Sequence, residues 1–197
     1  MTVESCASLL VHTVFVRYNA SMTDNATGAE NQQERLSVDE IPGEIGAFLA
    51  GFALGEASFM LVCRPRADYR HKWKISAAFN VSQNDPTPLR IFQSVLHCGT
   101  MRRAGSGGWY FEVNSIADIH RKVIPFFERF PLLGTKQRDF DCFRAAVLIL
   151  LKPSKSVEDY QAVLMLRDQM NRGGKRKHQS VRILRDYTPN TTPAIKL

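Results

Sequence analysis

Leu49-Ala50-Gly51-Phe52-Ala53-Leu54-Gly55-Glu56-Ala57-Ser58-Phe59 is the stretch on which the reading of this fold turns. Ile45, Phe48, Leu49 and Phe52 recur at helical spacing, so a helix with one core face is expected over Glu44–Gly55. The opposite face carries Ala47, Ala50, Gly51 and Gly55, with Leu54 beside them. A face in contact with water ordinarily carries Lys, Glu or Arg. Side chains this small instead let a second helix approach closely, because little volume separates the two backbones. After Glu56 the pattern changes, and Ser58–Arg64 reads as a strand. One acidic residue therefore joins a small-faced helix to a strand. If two such helices lie side by side, their Glu56 carboxylates meet at the end of the interface. Hard oxygen ligands of this kind suit Mg²⁺, which can activate water for phosphodiester hydrolysis.

Outward from this junction, Lys72–Ser82 alternates Ile75, Ala77, Phe79 and Val81 with Lys74, Ser76, Ala78 and Asn80, the period of a half-buried strand. The segment Arg64–Tyr69 is expected to connect the two strands. A helix is expected over Pro88–His97, and a second hairpin pairs Gly99–Arg103 with Trp109–Val113 around Gly105-Ser106-Gly107-Gly108. Ser115 with Asp118 resembles a capping box opening a helix over Ile116–Phe130, which Pro125 should kink or split. Helices over Arg138–Leu151 and Val157–Met170 follow. The order helix, two strands, helix, two strands, helices occurs once in the chain. A fold that needs two such units must take the second from another copy.

The 197 residues suffice for one good core. Residues 17–40, polar and poor in large apolar side chains, read as the flexible part of a leader over 1–43, ahead of a domain over 44–185 and a tail over 186–197. The net charge of +7 is unevenly spread: residues 1–43 sum to −4 and residues 44–197 to +11. A body this basic calls for a polyanion. The apolar run Ala7–Val16 is too short to span a bilayer, is broken by His12, and lacks a basic flank for secretion. No membrane association is expected. Cys6, Cys63, Cys98 and Cys142 form no Cys-x-x-Cys pair, which fits buried thiols in a reducing compartment better than a zinc site or disulfides.

The quoted segment resembles the signature of the LAGLIDADG homing endonucleases, and its single copy is similar to their homodimeric, group I intron-encoded branch. It keeps the Leu-Ala-Gly start, the Gly–acid pair and the Ser-Phe end; Leu54 replaces the first acid and Glu56 the second Asp. The resemblance spans about residues 43–185. It implies an α+β fold of αββαββα order: a four-stranded antiparallel saddle backed by helices, with the signature helix at a dimer interface of Ala47, Ala50, Gly51, Leu54 and Gly55. It implies metal-dependent double-strand cleavage of a long pseudo-palindromic DNA site, leaving short 3′ overhangs, with Mg²⁺ as cofactor and Mn²⁺ as substitute. Glu56 and Gly55 are the expected metal positions. Gln83, in Asn80-Val81-Ser82-Gln83, is similar to the residue that orders water, and Lys136, in Pro131-Leu132-Leu133-Gly134-Thr135-Lys136, to the one that offsets phosphate charge. Arg90 is the nearest candidate for a further basic catalytic position.

The saddle's concave face would lie along the major groove, presenting Ser58, Met60, Val62, Arg64 and Arg66, then Lys72, Lys74, Ser76, Ala78 and Asn80, then Thr100, Arg102, Tyr110 and Glu112. The basic tail 171–185, with Arg172, Lys175, Arg176, Lys177, Arg182 and Arg185, would grip phosphates without reading sequence. Double-stranded DNA and a second copy of the chain are the expected partners. The alternative is an intron RNA maturase using the same fold, since a basic saddle can also hold structured RNA. The expected setting is intracellular, at DNA in an organelle or bacterial nucleoid, with nuclear ribosomal DNA also open.

Overall fold

Helix α1, Gly43–Glu56, passes directly into strand β1, Ala57–Pro65, without a loop. The computed structural model describes residues 37–68, 72–105, 107–173 and 178–187. Strand β2, Trp73–Gln83, helix α2, Thr87–Leu96, and strands β3, Thr100–Arg103, and β4, Trp109–Val113, complete the expected first half within a residue or two at each end. The four strands form one antiparallel sheet in the order β1-β2-β4-β3.

The period-two reading of the sheet holds in register. Ala57, Phe59, Leu61 and Cys63 are buried on one face of β1, as are Trp73, Ala77, Phe79 and Val81 on β2 and Phe111 and Val113 on β4. This face packs on helices through phenylalanines: the Phe59 ring lies 5.4 Å from Phe79, 5.4 Å from Phe127 and 5.2 Å from Phe143. Each fully buried ring contributes on the order of 2–3 kcal/mol, so this cluster dominates the core.

The third helical stretch, α3, starts where Ser115 Oγ accepts from the Asp118 amide at 3.2 Å. Pro125 does not split it. Instead a π turn, Ile119–Val123, lies between Ile116–Asp118 and Ile124–Arg129, and the Ile124 amide reaches back to the Ile119 carbonyl. The wider turn accommodates a ring that lacks an amide proton and would otherwise crowd the preceding carbonyls. Helix α4, Gly134–Leu150, begins four residues earlier than expected, and α5, Val157–Gln169, carries a full Ser156/Asp159 capping box.

Ile41 is buried and Val38 packs on the core, so folded structure begins before residue 44. At the other end, a helix that the basic-tail reading did not anticipate, α6, runs over Ser180–Tyr187. Cys63 and Cys142 are buried, and burial pushes the Cys98 thiol up to about 12, so none of the three is suited to nucleophilic chemistry. No helix among the described residues is long and apolar enough to cross a membrane.

Candidate active site and nucleic-acid face

Glu56 ends α1 with its side chain exposed, at the helix terminus where unpaired carbonyls gather negative partial charge. Such a position favours cations. One is in place: Lys136, in the first turn of α4, donates from Nζ to the Ala57 carbonyl at 2.7 Å, one residue beyond Glu56. Ala57 pairs with Val81 across the sheet, which sets Gln83, two residues further along β2, beside the last turn of α1. Gln83 is half-buried and its Oε1 accepts from the Asn84 amide at 2.7 Å. Three sequence-predicted residues thus gather at one helix–strand junction, Lys136 through a bond to a carbonyl 79 positions away in sequence. Arg90 is exposed on α2 and no described contact ties it to the other three.

The Lys136 bond belongs to a series that sequence reasoning missed. Strand β1 is an edge strand, and its carbonyls at Ala57, Phe59 and Leu61 accept in turn from Lys136 at 2.7 Å, Asn171 Nδ2 at 3.4 Å and Arg167 Nε at 3.1 Å. These side chains from the helical layer satisfy the open ladder and shield the edge from pairing with another strand. Lys136 therefore has a structural partner as well as a place beside Glu56.

The expected interface face of α1 needs two corrections. Ala50 is buried within its own chain at 7% exposure, whereas Phe48, expected in the core, is 40% exposed. The open stripe is Ala47, Phe48, Gly51 and Gly55, with Leu54 half-buried at its margin. A Cβ added at Gly51 or Gly55 would meet no atom within 4 Å, while one at Gly46 would run into the Phe130 ring. Leu133, 70% exposed, was not foreseen on this surface. The segment 130–136 starts with Phe130 against Gly46 and ends with Lys136 against Ala57, so it runs alongside α1 and carries Leu133 past the stripe.

Away from the core, the outward sheet face presents most of the predicted contact residues. Ser58, Asn80, Glu112 and Thr100 lie in one row across all four strands by register, and Ser82, Tyr110 and Arg102 form the next. Met60, Val62, Arg64, Lys74 and Ser76 continue this face toward the far end of the β1–β2 hairpin. Ala78 shares it but is buried under its neighbours. Lys72 lies before β2 with φ +58°, so strand alternation does not fix its direction, and Arg66 is held by Asp68 at 2.6 Å. Arg102 donates from Nε to Glu112 at 3.2 Å and stacks 4.7 Å from the Tyr110 ring centre. Burial alone would push the Glu112 carboxyl up; hydrogen bonds and charge from Arg102, then bonds from Asn114 and Asn80, outweigh it and hold the group below its usual range. These polar groups are thus ordered before any partner arrives. Lys175, Arg176 and Lys177 lie outside the described residues.

The fold is found in solved structures. The archaeal intron-encoded homing endonuclease I-Vdi141I complexed with DNA superposes with a TM-score of 0.66 at 17% identity, over 72% of this chain and 93% of that one. The meganuclease I-SmaMI bound to uncleaveable DNA superposes with a TM-score of 0.60 at 25% identity, over 76% of this chain and 49% of that one. The fold is therefore the α+β fold of homing endonucleases. The family pattern described as LAGLIDADG endonuclease matches residues 49–147, half of the sequence, and the chain belongs to that family. Among curated relatives, the probable intron-encoded endonuclease 2 of Neurospora crassa is 25% identical over 132 residues, 64% of this chain; the chain spans 29% of that relative's length.

Proposed function

We propose that the protein is a site-specific homing endonuclease that works as a homodimer and cuts both strands of a long, approximately two-fold-symmetric duplex by metal-dependent hydrolysis. The observation that carries this reading is the meeting of Glu56, Lys136 and the end of β2 at the α1–β1 junction. Family membership and the DNA-bound state of both superposed structures support it.

The donor chemistry at the junction fits a hard divalent ion. The Glu56 carboxylate has no hydrogen bond or ion pair among the described residues, and the Gly55 carbonyl lies at the helix terminus beside it. Both are oxygen ligands of the kind Mg²⁺ takes, with Mn²⁺ as the natural substitute. Among the described residues no cluster of three or more His, Cys, Asp or Glu side chains exists, and Glu56 is the acid at this junction. A second copy docked on the Ala47–Gly55 stripe supplies another. The coverage of the two structures supports this: the same fold fills nearly all of I-Vdi141I and about half of I-SmaMI. A chain with one copy completes the pair by self-association. Phe48 and Leu133 add large apolar area to a stripe otherwise made of small residues.

When bound, the ion lowers the pKa of an attacking water and offsets charge on the leaving oxygen. The remaining work falls to the protein. Gln83 orients water at the junction, and Lys136 holds positive charge where the phosphate gains negative charge. The polar and basic sheet face positions the duplex, with Arg64, Lys74, Asn80, Arg102 and Glu112 bearing the donors and acceptors suited to base edges. The test is incubation of the full-length chain and Mg²⁺ with a plasmid carrying the uninterrupted host locus. Wild type should linearise it; Glu56→Gln should bind duplex DNA but not cut. A Glu56→Gln protein that cuts at the wild-type rate refutes the catalytic assignment, and sedimentation of a strict monomer on the full site refutes the dimer.

A further inference from the structure

We propose that Asp139 and Asn171 are positioning residues for Lys136: together they fix where helix α4 lies along strand β1, and so where the Lys136 ammonium lies beside Glu56. The proposal rests on the DNA-cutting function above. Asp139 is 9% exposed, and a buried carboxyl group is seldom kept without a hydrogen-bond partner. Its Oδ1 accepts from the Asn171 backbone amide at 2.8 Å. Asn171 belongs to the turn Met170–Gly173, which follows α5 and is anchored by the buried Met170. From that turn, Asn171 Nδ2 donates to the Phe59 carbonyl at 3.4 Å. Two hydrogen bonds thus link α4 to β1 through a third element.

Lys136 and Asp139 are three residues apart on α4, so they share one side of the helix and lie about 4.5 Å apart along its axis. The carbonyls they reach, Ala57 directly and Phe59 through Asn171, are two residues apart on β1, or about 6.6 Å. Two neighbouring attachments on each element hold their mutual position, whereas one leaves a pivot. The second attachment matters because a lysine stem is long and flexible, and its ammonium can follow one carbonyl through several placements of the helix. Phe140 and Phe143 press α4 into the core, but apolar contact is non-directional. The path from Asp139 through Asn171 to Phe59 supplies the direction.

The backbone of Asn171 is set for this double contact. Its φ of +52° lies in the left-handed region, where a Cβ is usually unfavourable and Asn is among the few residues that enter readily. In that conformation the backbone amide meets Asp139 while the side-chain amide meets β1.

The test uses three variants of the full-length chain. Asn171→Gly keeps the left-handed turn and the backbone amide but removes Nδ2. Asp139→Ala removes the acceptor, and Asp139→Asn keeps an acceptor oxygen. The first readout is acetic anhydride labelling of Lys136 in the DNA-free protein, followed by mass spectrometry with Lys152 as the internal reference. Asn171→Gly and Asp139→Ala should raise Lys136 labelling roughly twofold or more, the scale of one weakened hydrogen bond, and Asp139→Asn should restore most of the protection. The second readout is single-turnover cleavage, in Mg²⁺ and at saturating protein, of the plasmid carrying the uninterrupted host locus. The rate should fall roughly tenfold or more in Asn171→Gly and Asp139→Ala, with duplex affinity within about twofold of wild type. In a Lys136→Met background Asp139→Ala should cost nothing further, because its effect runs through the ammonium. Wild-type labelling of Lys136 in Asn171→Gly and Asp139→Ala overturns the proposal, whatever the cutting activity. Equal losses of cleavage with and without the ammonium show a merely structural role and overturn it as well. If Asp139→Ala fails to fold, Asn171→Gly alone decides, by the same two readouts. If wild type does not cut while labelling responds as expected, the DNA-cutting reading falls and the placement of Lys136 by Asp139 and Asn171 stands.

Discussion

Two glycines on α1, five residues apart, should respond to alanine in opposite ways. A Cβ at Gly46 would lie 2.2 Å from Phe130 Cζ, far inside contact distance, so the ring must move. It is boxed in by Phe126 at 5.3 Å and by the Arg129 guanidinium at 5.7 Å, which leaves the solvent side as its escape. Alanine adds about 1 kcal/mol of helix stability relative to glycine. Overpacking costs about 1–3 kcal/mol, so Gly46→Ala should lower unfolding free energy by roughly 0–2 kcal/mol net. At Gly51 nothing lies within 4 Å, and a single protomer should keep the whole gain of about 1 kcal/mol. In a dimer docked on this stripe the added methyl meets the partner's helix, so the association should weaken. The assay is chemical denaturation at two protein concentrations about a hundredfold apart, because the stability of an associating protein depends on concentration. Gly46→Ala should shift the midpoint down at both. Gly51→Ala should raise it at the low concentration and lose the upward shift that wild type shows at the high one. Equal stabilisation by both substitutions would refute the reasoning, since it would mean that Phe130 does not fill the space over Gly46.

Lys136→Met keeps the aliphatic stem but removes the ammonium from the Ala57 carbonyl. Cleavage should fall about a hundredfold or more, while stability falls by only about 1 kcal/mol, which single-turnover kinetics and denaturation measure separately. Glu112, held below its ordinary value of 4.5, contributes stability that is complete above that value and fades as pH falls through its lower folded value. Glu112→Gln should therefore narrow the gap from wild type as pH drops below 4.5, and a gap independent of pH would count against the Arg102–Glu112 bond.

The sheet was legible from sequence because strand alternation has only two phases, and Phe59, Phe79 and Phe111 fix one of them. The faces of α1 were not. Every residue from Ile45 to Gly55 is apolar or glycine, so no polar residue marks the exposed side, and Phe48 and Ala50 exchange their expected places. The capping of β1 is illegible for a different reason. Arg167 and Asn171 bond carbonyls 106 and 112 residues away, and nothing in a helical arginine signals a distant backbone partner. Helix α6 left a signal that went unread: Ile183 and Leu184 sit together between Arg182 and Arg185, and Trp73, an indole in a strand end, needed an acceptor.

The corrected α1 surface changes how docking and chemistry connect. Had Ala50 lined the interface, association would have involved α1 alone, with Lys136 independent of it. Instead the segment from Phe130 to Lys136 runs beside the open stripe, anchored at both ends on the same helix it flanks. Leu133 stands exposed midway, three residues from the lysine. In the dimer proposed above, an exposed leucine on a segment anchored at both ends against α1 and the start of β1 is a surface that a docked partner would cover. Covering Leu133 would then hold the segment that carries Lys136 to the Ala57 carbonyl. Assembly of that dimer would bring the two Glu56 carboxylates together while each Lys136 ammonium stays bonded one residue beyond its acid.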